Sequence, residues 1–298
     1  MQIADEKVLK LEKQAKAIRE TIIKMLVAAG SGHTAGSLGM ADIFTAFYFH
    51  ILNHDPQRPN WEDRDRLILS NGHICPVLYA AMAHSGYFPV EECLTLRKFG
   101  SRLQGHPERL CLPGIETTSG PLGEGLSQAA GMAYAFRMDK MWDIGSPTTD
   151  VGLPMSYMGG RRRRVYCVMS DGEQEEGSTW EAVMFAGKNR LAGLTAIMDR
   201  NNIQIDGETE DVMPIEPIAD KYRAFNWNVL EVDGHDISKF IQAIDKVKTA
   251  NPPVGGPTLI IAHTIPGKGV PEIENDFHWH GKSPTAEEGD RFIKYLNI

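Results

Sequence analysis

From Arg164 onward the chain repeats one pattern, and that pattern leaves few folds open. The strand-like runs "RVYCVMS", "LTAIMD", "WNVLEVDG" and "PTLIIAHT" alternate with the helix-like runs "STWEAVMFAGKNR", "IADKYRAFN" and "ISKFIQAIDKVKTA". The strand runs read as continuously apolar. Such strands alternating with helices predict an α/β fold, a parallel sheet covered by helices on both faces. In sheets of this kind ligands sit beyond the carboxyl ends of the strands.

The first half is less regular. Residues 7–29 predict a helix, with Ile18, Ile22, Met25 and Leu26 on one face and Gly30 as its stop. "GMADIFTAFYFHIL" predicts a second helix and "DRLILSNGH" a short strand ending in a turn. "PVLYAAMAHSG" and "GEGLSQAAGMAYAFRMDKMW" predict two more helices. Residues 143–160 are rich in Gly, Pro, Ser and Thr and have no period, which predicts a functional or flexible loop. Neither a repeat nor a linker divides the chain, so residues 1–298 are expected to form a single domain.

Charge narrows the partners. With 31 Lys and Arg against 39 Asp and Glu, the net charge is −8. A nucleic-acid partner needs a basic face and is not expected. The one basic cluster, Arg161–Arg164, reads as a solvated approach to a strand. No apolar run approaches the roughly 20 residues of a membrane span. "MQIADEKVLKLEKQ" lacks the apolar core of a signal peptide, and no C-x-x-C pair joins the four cysteines. A reduced, cytoplasmic protein is the expectation.

The stretch "SDGEQEEGSTWEA", Ser170–Ala182, crowds acids at the end of an apolar strand. It is either a solvated loop and first helical turn or a place where Asp171 holds a metal. Asp171 and Asn201 fall at the ends of consecutive strands, 30 residues apart, and both offer oxygen. One carboxylate with neutral oxygens suits Mg²⁺, which completes its octahedron with water and phosphate oxygens. Gly172 would allow close approach of a phosphate. Against this stands a strand-end Asp capping the next helix, beside an Asn-Asn turn. "STWE" at Ser178–Glu181 also reads as a capping box. "GPLGEG" is no dinucleotide fingerprint, because its glycines are wrongly spaced and no strand precedes it.

"SDG" followed by "DRNNIQIDG" resembles the signature of thiamine-diphosphate enzymes. "SGHTAGSLGMADIF", "DRLILSNGH", "QGHPE", "TTSGPLGEGLSQAAGMA", "EQEEGSTWEA", "VDGHD" and "WHGKSP", in that order, resemble the transketolase family in particular. The likeness covers nearly the whole chain and corresponds to the family's diphosphate-binding domain. It implies a subunit of a split transketolase, lacking the pyrimidine-binding domain and active with a C-terminal partner subunit in an α₂β₂ assembly. The implied reaction moves a two-carbon ketol unit from a ketose to an aldose, with sugars or sugar phosphates as substrates.

Carried over by position, the resemblance implies Asp171, Asn201 and the carbonyl of Ile203 as ligands of Mg²⁺, or of Ca²⁺ or Mn²⁺. His73, Gly172, Asn201 and His280 would meet the diphosphate; Gly120, Pro121 and Leu122 would meet the aminopyrimidine. His33, His106 and His280 would face the sugar, with the ordinary histidine pKa near 6.5 suited to acid–base work. Glu176 and Glu181 would link the two active sites of a dimer. Asp171→Ala is expected to abolish cofactor binding and leave the fold intact. Three departures stand out: Ser170 replaces the first Gly of the signature, Pro266 stands where many relatives have Lys, and the 143–160 loop is long. Two rival readings remain. One is another thiamine-diphosphate subunit, deoxyxylulose-phosphate synthase-like or 2-oxo acid decarboxylating; the other is a non-catalytic cofactor-binding partner.

Overall fold

The computed structural model describes residues 3–143, 163–249 and 255–297. Nearly all of the 143–160 loop therefore lies outside the described residues. The first helix, α1 (Asp5–Ala29), buries Leu11, Ala15, Ile18, Ile22, Met25 and Leu26. This is the helical spacing read from the sequence. Gly30 ends it at φ 65°, a left-handed cap, with its N–H bonded to Leu26 O at 3.0 Å.

The expected second helix is broken into α2 (Ala35–Gly39), α3 (Ala41–Ala46) and a π-helical turn at Phe47–Ile51. A tertiary contact sits at the break. A Cβ on Gly39 would lie 3.0 Å from the carbonyl of Ile265, and Met40 leaves the helical path at ψ 3°. There follow β1 (Arg66–Leu69), α4 (Cys75–His84) and α5 (Glu124–Asp143).

The regular half matches its expectation. It runs β2 (Val165–Ser170), α6 (Gly177–Lys188), β3 (Leu194–Arg200), a two-strand ribbon of β4 (Ile203–Gln204) and β5 (Gly207–Glu208), α7 (Thr209–Val212), α8 (Ile218–Ala224), β6 (Asn228–Asp233), α9 (Ile237–Thr249) and β7 (Thr258–His263). The strands form one sheet in the order β1-β2-β3-β7-β6, every pair parallel.

Alternate residues of the central strands face opposite layers. Cys167, Met169, Ala196, Met198, Leu259 and Ile261 pack with Leu126, Ala130, Val183 and Tyr222 from α5, α6 and α8. Tyr166, Val168, Ile197, Ile260 and Ala262 pack with Ile18, Phe44, Phe47 and Phe240 from α1, α3, the π turn and α9. Each fully buried Val, Leu, Ile, Phe or Met side chain among them contributes about 1.5–3 kcal/mol. The edge strand β6 is only partly buried, unlike the others. At Gly187 a Cβ would come within 1.9 Å of Phe225 O, so α6 closes on the end of α8 only because that residue is glycine.

The sequence reading missed the short α7 and a longer helix, α10 (Ala286–Leu296). A capping box starts it: Thr285 Oγ1 accepts from Glu288 N, and the Glu288 carboxylate accepts from Thr285 N. The box expected at Ser178–Glu181 is absent, because α6 already begins at Gly177 and Ser178 lies inside it. Of the basic cluster, Arg163 lies over the Phe136 ring at 4.2 Å, and residues 161–162 fall outside the described residues. Among the described residues no helix is long and apolar enough to cross a membrane.

Candidate active site

The carboxyl ends of β2 and β3 stand side by side, with Ser170 opposite Asp199. Asp171 follows β2 and is fully buried. Its Oδ1 accepts from Gly172 N at 2.8 Å. Its Oδ2 accepts from Asn202 N at 2.8 Å, Arg200 Nη1 at 3.0 Å and Thr209 Oγ1 at 3.3 Å. The carboxylate thus bridges the two strand ends. Burial pushes its pKa up, and Arg200 with the backbone donors offsets part of that rise. The capping contact weighed from the sequence is present at Gly172, on a short 3₁₀ turn rather than on α6.

Asn201 is buried beside it. Its Nδ2 donates to Asp199 Oδ2 at 2.9 Å, and its Oδ1 accepts from Ile203 N at 3.0 Å. Asp199 is held in turn by Thr264 Oγ1, and burial raises its carboxyl to about 7. Two residues here escaped the sequence reading. Asp199 orients the Asn201 amide. Arg200 ties Asp171 to Glu210 at 2.7 Å and Glu216 at 3.0 Å. In sequence, "DRNN" reads as an ordinary charged turn.

Loops from distant parts of the chain bring three histidines together. The rings of His33 and His73 are 4.9 Å apart, His73 and His280 5.1 Å, and His33 and His280 5.6 Å. His106 stands nearby and is exposed. Thr34 Oγ1 donates to Lys282 O at 2.6 Å across 248 residues, which docks the His280 loop on the His33 loop. Beneath the loop after β7, His235 joins Asp42 at Nδ1 (2.8 Å) and accepts from Ile265 N at Nε2 (2.8 Å). A Cβ on Gly281 would lie 3.8 Å from His33 Nε2 and 3.6 Å from Ile205 Cδ1, so the histidine cluster adjoins the β4–β5 ribbon that follows Asn201.

The histidines are not ordinary ones. Burial, then His280, Arg97 and His106, lower His33 to about 4. His73 is driven well below its usual value by burial and the other imidazoles. His280 is lowered by burial, and His106 by burial and Arg97. The expectation of histidines near 6.5 is therefore corrected. The resting cluster is neutral at pH 7 and offers N–H donors and basic nitrogens rather than imidazolium acids.

The remaining candidates are placed as follows. Gly120, Pro121 and Leu122 form the loop before α5, and a Cβ on Gly120 would point into open space. Gly72, beside His73, packs against Ser119 and Gly120. Glu176 is the exposed residue ahead of α6 and lies against Gly123; Glu181 is exposed on α6. Among the described residues, no contact joins either glutamate to the histidines. The buried glutamate of this stretch is Glu173, which the sequence reading passed over. Its carboxylate accepts from Ser70 Oγ, from Gly123 N at 2.7 Å and from Ser170 N at 3.2 Å. Ser170, the departure from the signature, supplies Oγ to Glu173 N at 3.2 Å and keeps a strand backbone.

The family model for the transketolase thiamine diphosphate binding domain matches residues 11–295. The chain belongs to the transketolase family. It is 40% identical to the 6-deoxy-6-sulfo-D-fructose transketolase subunit SqwG of Clostridium sp. (strain MSTE9), covering 95% of this chain and 94% of that one. It is 37% identical to an apulose-4-phosphate transketolase subunit from Phocaeicola vulgatus, covering 96% and 94%. The solved transketolase from Leishmania mexicana superposes with a TM-score of 0.84 at 30% identity, over 96% of this chain and 41% of that one. That from Campylobacter jejuni gives 0.83 at 31%, over 100% and 44%. The chain therefore spans less than half the length of these solved transketolases.

The transketolase site is chemically suited to an anionic cofactor. His33 Nδ1 and both side-chain polar atoms of Asn71, which precedes Gly72 and His73, are buried with no partner in the protein. Buried polar atoms are normally satisfied, so orphans grouped at one site are a place for ligand atoms. Neutral imidazoles donate hydrogen bonds to phosphate oxygens, and Asp171 with Asn201 supplies hard oxygens for a divalent ion.

Proposed function

We propose that this chain is the diphosphate-binding subunit of a two-chain transketolase. The observation that carries the reading is the joining of two groups: three neutral histidines from separate loops, and the Asp171–Asn201 pair at consecutive strand ends. Asp171, Asn201 and the carbonyl of Ile203 would hold Mg²⁺, with Ca²⁺ or Mn²⁺ as substitutes. His73, Gly172, Asn201 and His280 would hold the diphosphate. Gly120, Pro121 and Leu122 would border the aminopyrimidine. Bound thiamine diphosphate would supply the electron sink that lets a carbon–carbon bond beside a carbonyl break.

The chain's own residues would do the rest. His33 and His280, neutral at rest, would take a proton from the donor hydroxyl as its carbon–carbon bond breaks, then return it to the acceptor oxygen. His106 would orient the two-carbon fragment at the open side. Glu176 and Glu181 would lie toward a second active site across an assembly interface. Exposed Tyr134, Met184 and Phe185 on α5 and α6 support such an interface.

Relatives of matching length carry names that call them subunits, which supports a pyrimidine-binding partner and an α₂β₂ assembly. Those names pair the reaction with a sulfonated and a phosphorylated sugar. We therefore assign the substrates to ketoses and aldoses with a terminal anion. The free cysteines, all four unpaired with one another, fit a cytoplasmic setting.

The test has two arms. Calorimetric titration with thiamine diphosphate should show binding that depends on Mg²⁺. A coupled two-carbon transfer assay should show activity only with the partner chain present. Metal-independent binding, or no transfer by the reconstituted pair, would reject the assignment.

A further inference from the structure

Arg97 holds a left-handed backbone at φ 60°, a conformation that a residue with a Cβ rarely adopts. The turn it makes leads into the loop that carries His106. Arg97 N donates to Leu103 O at 2.9 Å, and Nη2 reaches Gly105 O at 3.4 Å. From beneath, Cys75 Sγ donates to the same Gly105 carbonyl at 3.2 Å and Tyr79 Oη to Gln104 O at 2.9 Å. A Cβ on Gly105 would lie 2.8 Å from Arg97 Nε, and a Cβ on Gly32 would lie 4.0 Å from it. The guanidinium therefore passes between the glycine before His33 and the glycine before His106. Gly105 must be small for it to fit, whereas Gly32 is kept small by Leu26, whose Cδ2 would lie 2.5 Å from a Cβ there. Among the described residues no carboxylate pairs with it.

We propose that Arg97 is a positioning residue of the site: its guanidinium holds the Gly105–His106 loop against the Gly32–His33 loop and fixes one positive charge facing both imidazoles. The assignment rests on the reading of His33 and His106 as sugar-facing residues. A nearby cation disfavours the protonated ring, so Arg97 keeps both histidines in the neutral form. His33 also faces His280, His106 and the ring of His73, while Arg97 is the charged neighbour of His106. His280 is lowered by burial without Arg97, which makes it an internal control.

The test is an NMR titration of the histidine rings in the full chain and in two variants. Arg97→Asn removes charge and reach, yet Asn tolerates a left-handed backbone, so the turn survives. Arg97→Lys retains the charge. In Arg97→Asn the His33 and His106 pKa values should rise by roughly 0.5–1 unit while His280 stays in place. Arg97→Lys should keep both close to wild type. Unmoved His33 and His106, or a rise of His280 by as much, would overturn the proposal; the latter is a general loosening of the loops. In the reconstituted enzyme the acidic limb of the kcat/KM profile should shift upward for Arg97→Asn and not for Arg97→Lys. The titration uses neither cofactor nor sugar. Its result is therefore independent of whether the two-carbon transfer assay succeeds.

Discussion

Replacing Asp171 by Ala is expected to do two separable things, because the carboxylate is both a proposed metal ligand and a structural tie. The structure shows four bonds lost: to Gly172 N, Asn202 N, Arg200 Nη1 and Thr209 Oγ1. Asn202 is exposed, so water replaces that bond. Arg200 and Thr209 are buried. Removing one partner of a buried ion pair costs about 3–5 kcal/mol. Arg200 keeps Glu210 and Glu216, which lowers its share to about 2–3 kcal/mol. Thr209 adds about 1 kcal/mol. The sum, about 3–4 kcal/mol, corresponds to a fall in Tm of roughly 5–6 °C for a chain of this size. The expectation that Asp171→Ala leaves the fold untouched thus gives way to a measurable loss. Adding Arg200→Leu removes the stranded cation and should recover about 1–2 kcal/mol, since the two glutamates left behind are open to water. Calorimetric melts of wild type, both single variants and the double variant measure this. A second set of melts with Mg²⁺ and thiamine diphosphate isolates the ligand role. At a hundredfold excess over Kd the wild type should gain about 2.7 kcal/mol, and no variant lacking Asp171 should gain any. A wild-type melting point for unliganded Asp171→Ala, or retained stabilisation by the ligands, would refute this account.

Other outcomes follow from the same geometry. His33 lies at about 4 in the folded chain against 6.5 unfolded, so it stays neutral while the unfolded chain takes up a proton. Its contribution is complete above pH 6.5 and is lost as the pH falls to about 4, a change of about 3 kcal/mol. Denaturant melts across that window should show the loss, and His33→Asn should flatten it. His33→Ala and His280→Ala, assayed with the partner chain, should each lower two-carbon transfer by roughly 10²–10⁴-fold; near-normal turnover in both would remove them from the sugar site. His280→Ala should also weaken cofactor binding in calorimetry. The purified chain should be inactive alone and active at 1:1 with its partner as an α₂β₂ species, read by light scattering; robust activity from the single chain would refute the two-chain reading.

How much of this was legible in the sequence depends on how local each determinant is. The strands at Val165–Ser170 and Thr258–His263 were readable because apolar runs bounded by turns need only neighbours to be recognised. The break at Met40 was not, because it accompanies the approach of Gly39 to a carbonyl more than two hundred residues away. α10 carried its signal openly in Thr285 and Glu288, whereas the similar pattern at Ser178 and Glu181 was a false one. Only the start of the helix at Gly177 tells them apart. At the site, the residue types and their order pointed to Asp171, Asn201 and the histidines. The neutrality of those histidines did not show, because it arises from mutual burial of rings that no spacing rule connects. Arg200 stayed hidden for the same reason: its three carboxylates lie on separate segments.

The hydrogen bond from Thr34 to Lys282 has a consequence for how the protein is made. The proposed oxygen ligands at Asp171, Asn201 and Ile203 lie at the strand ends of, and just after, one strand–helix–strand unit, complete once synthesis has passed Ile203. The histidine pocket must wait for the segment around His280 to return to the loop after the first helix. Local units assemble before contacts of long sequence separation. A nascent chain therefore gains its strand-end carboxylate and amide before its imidazole wall. Truncation just before Trp279 would remove that wall together with α10, whose Phe292 is buried in the core.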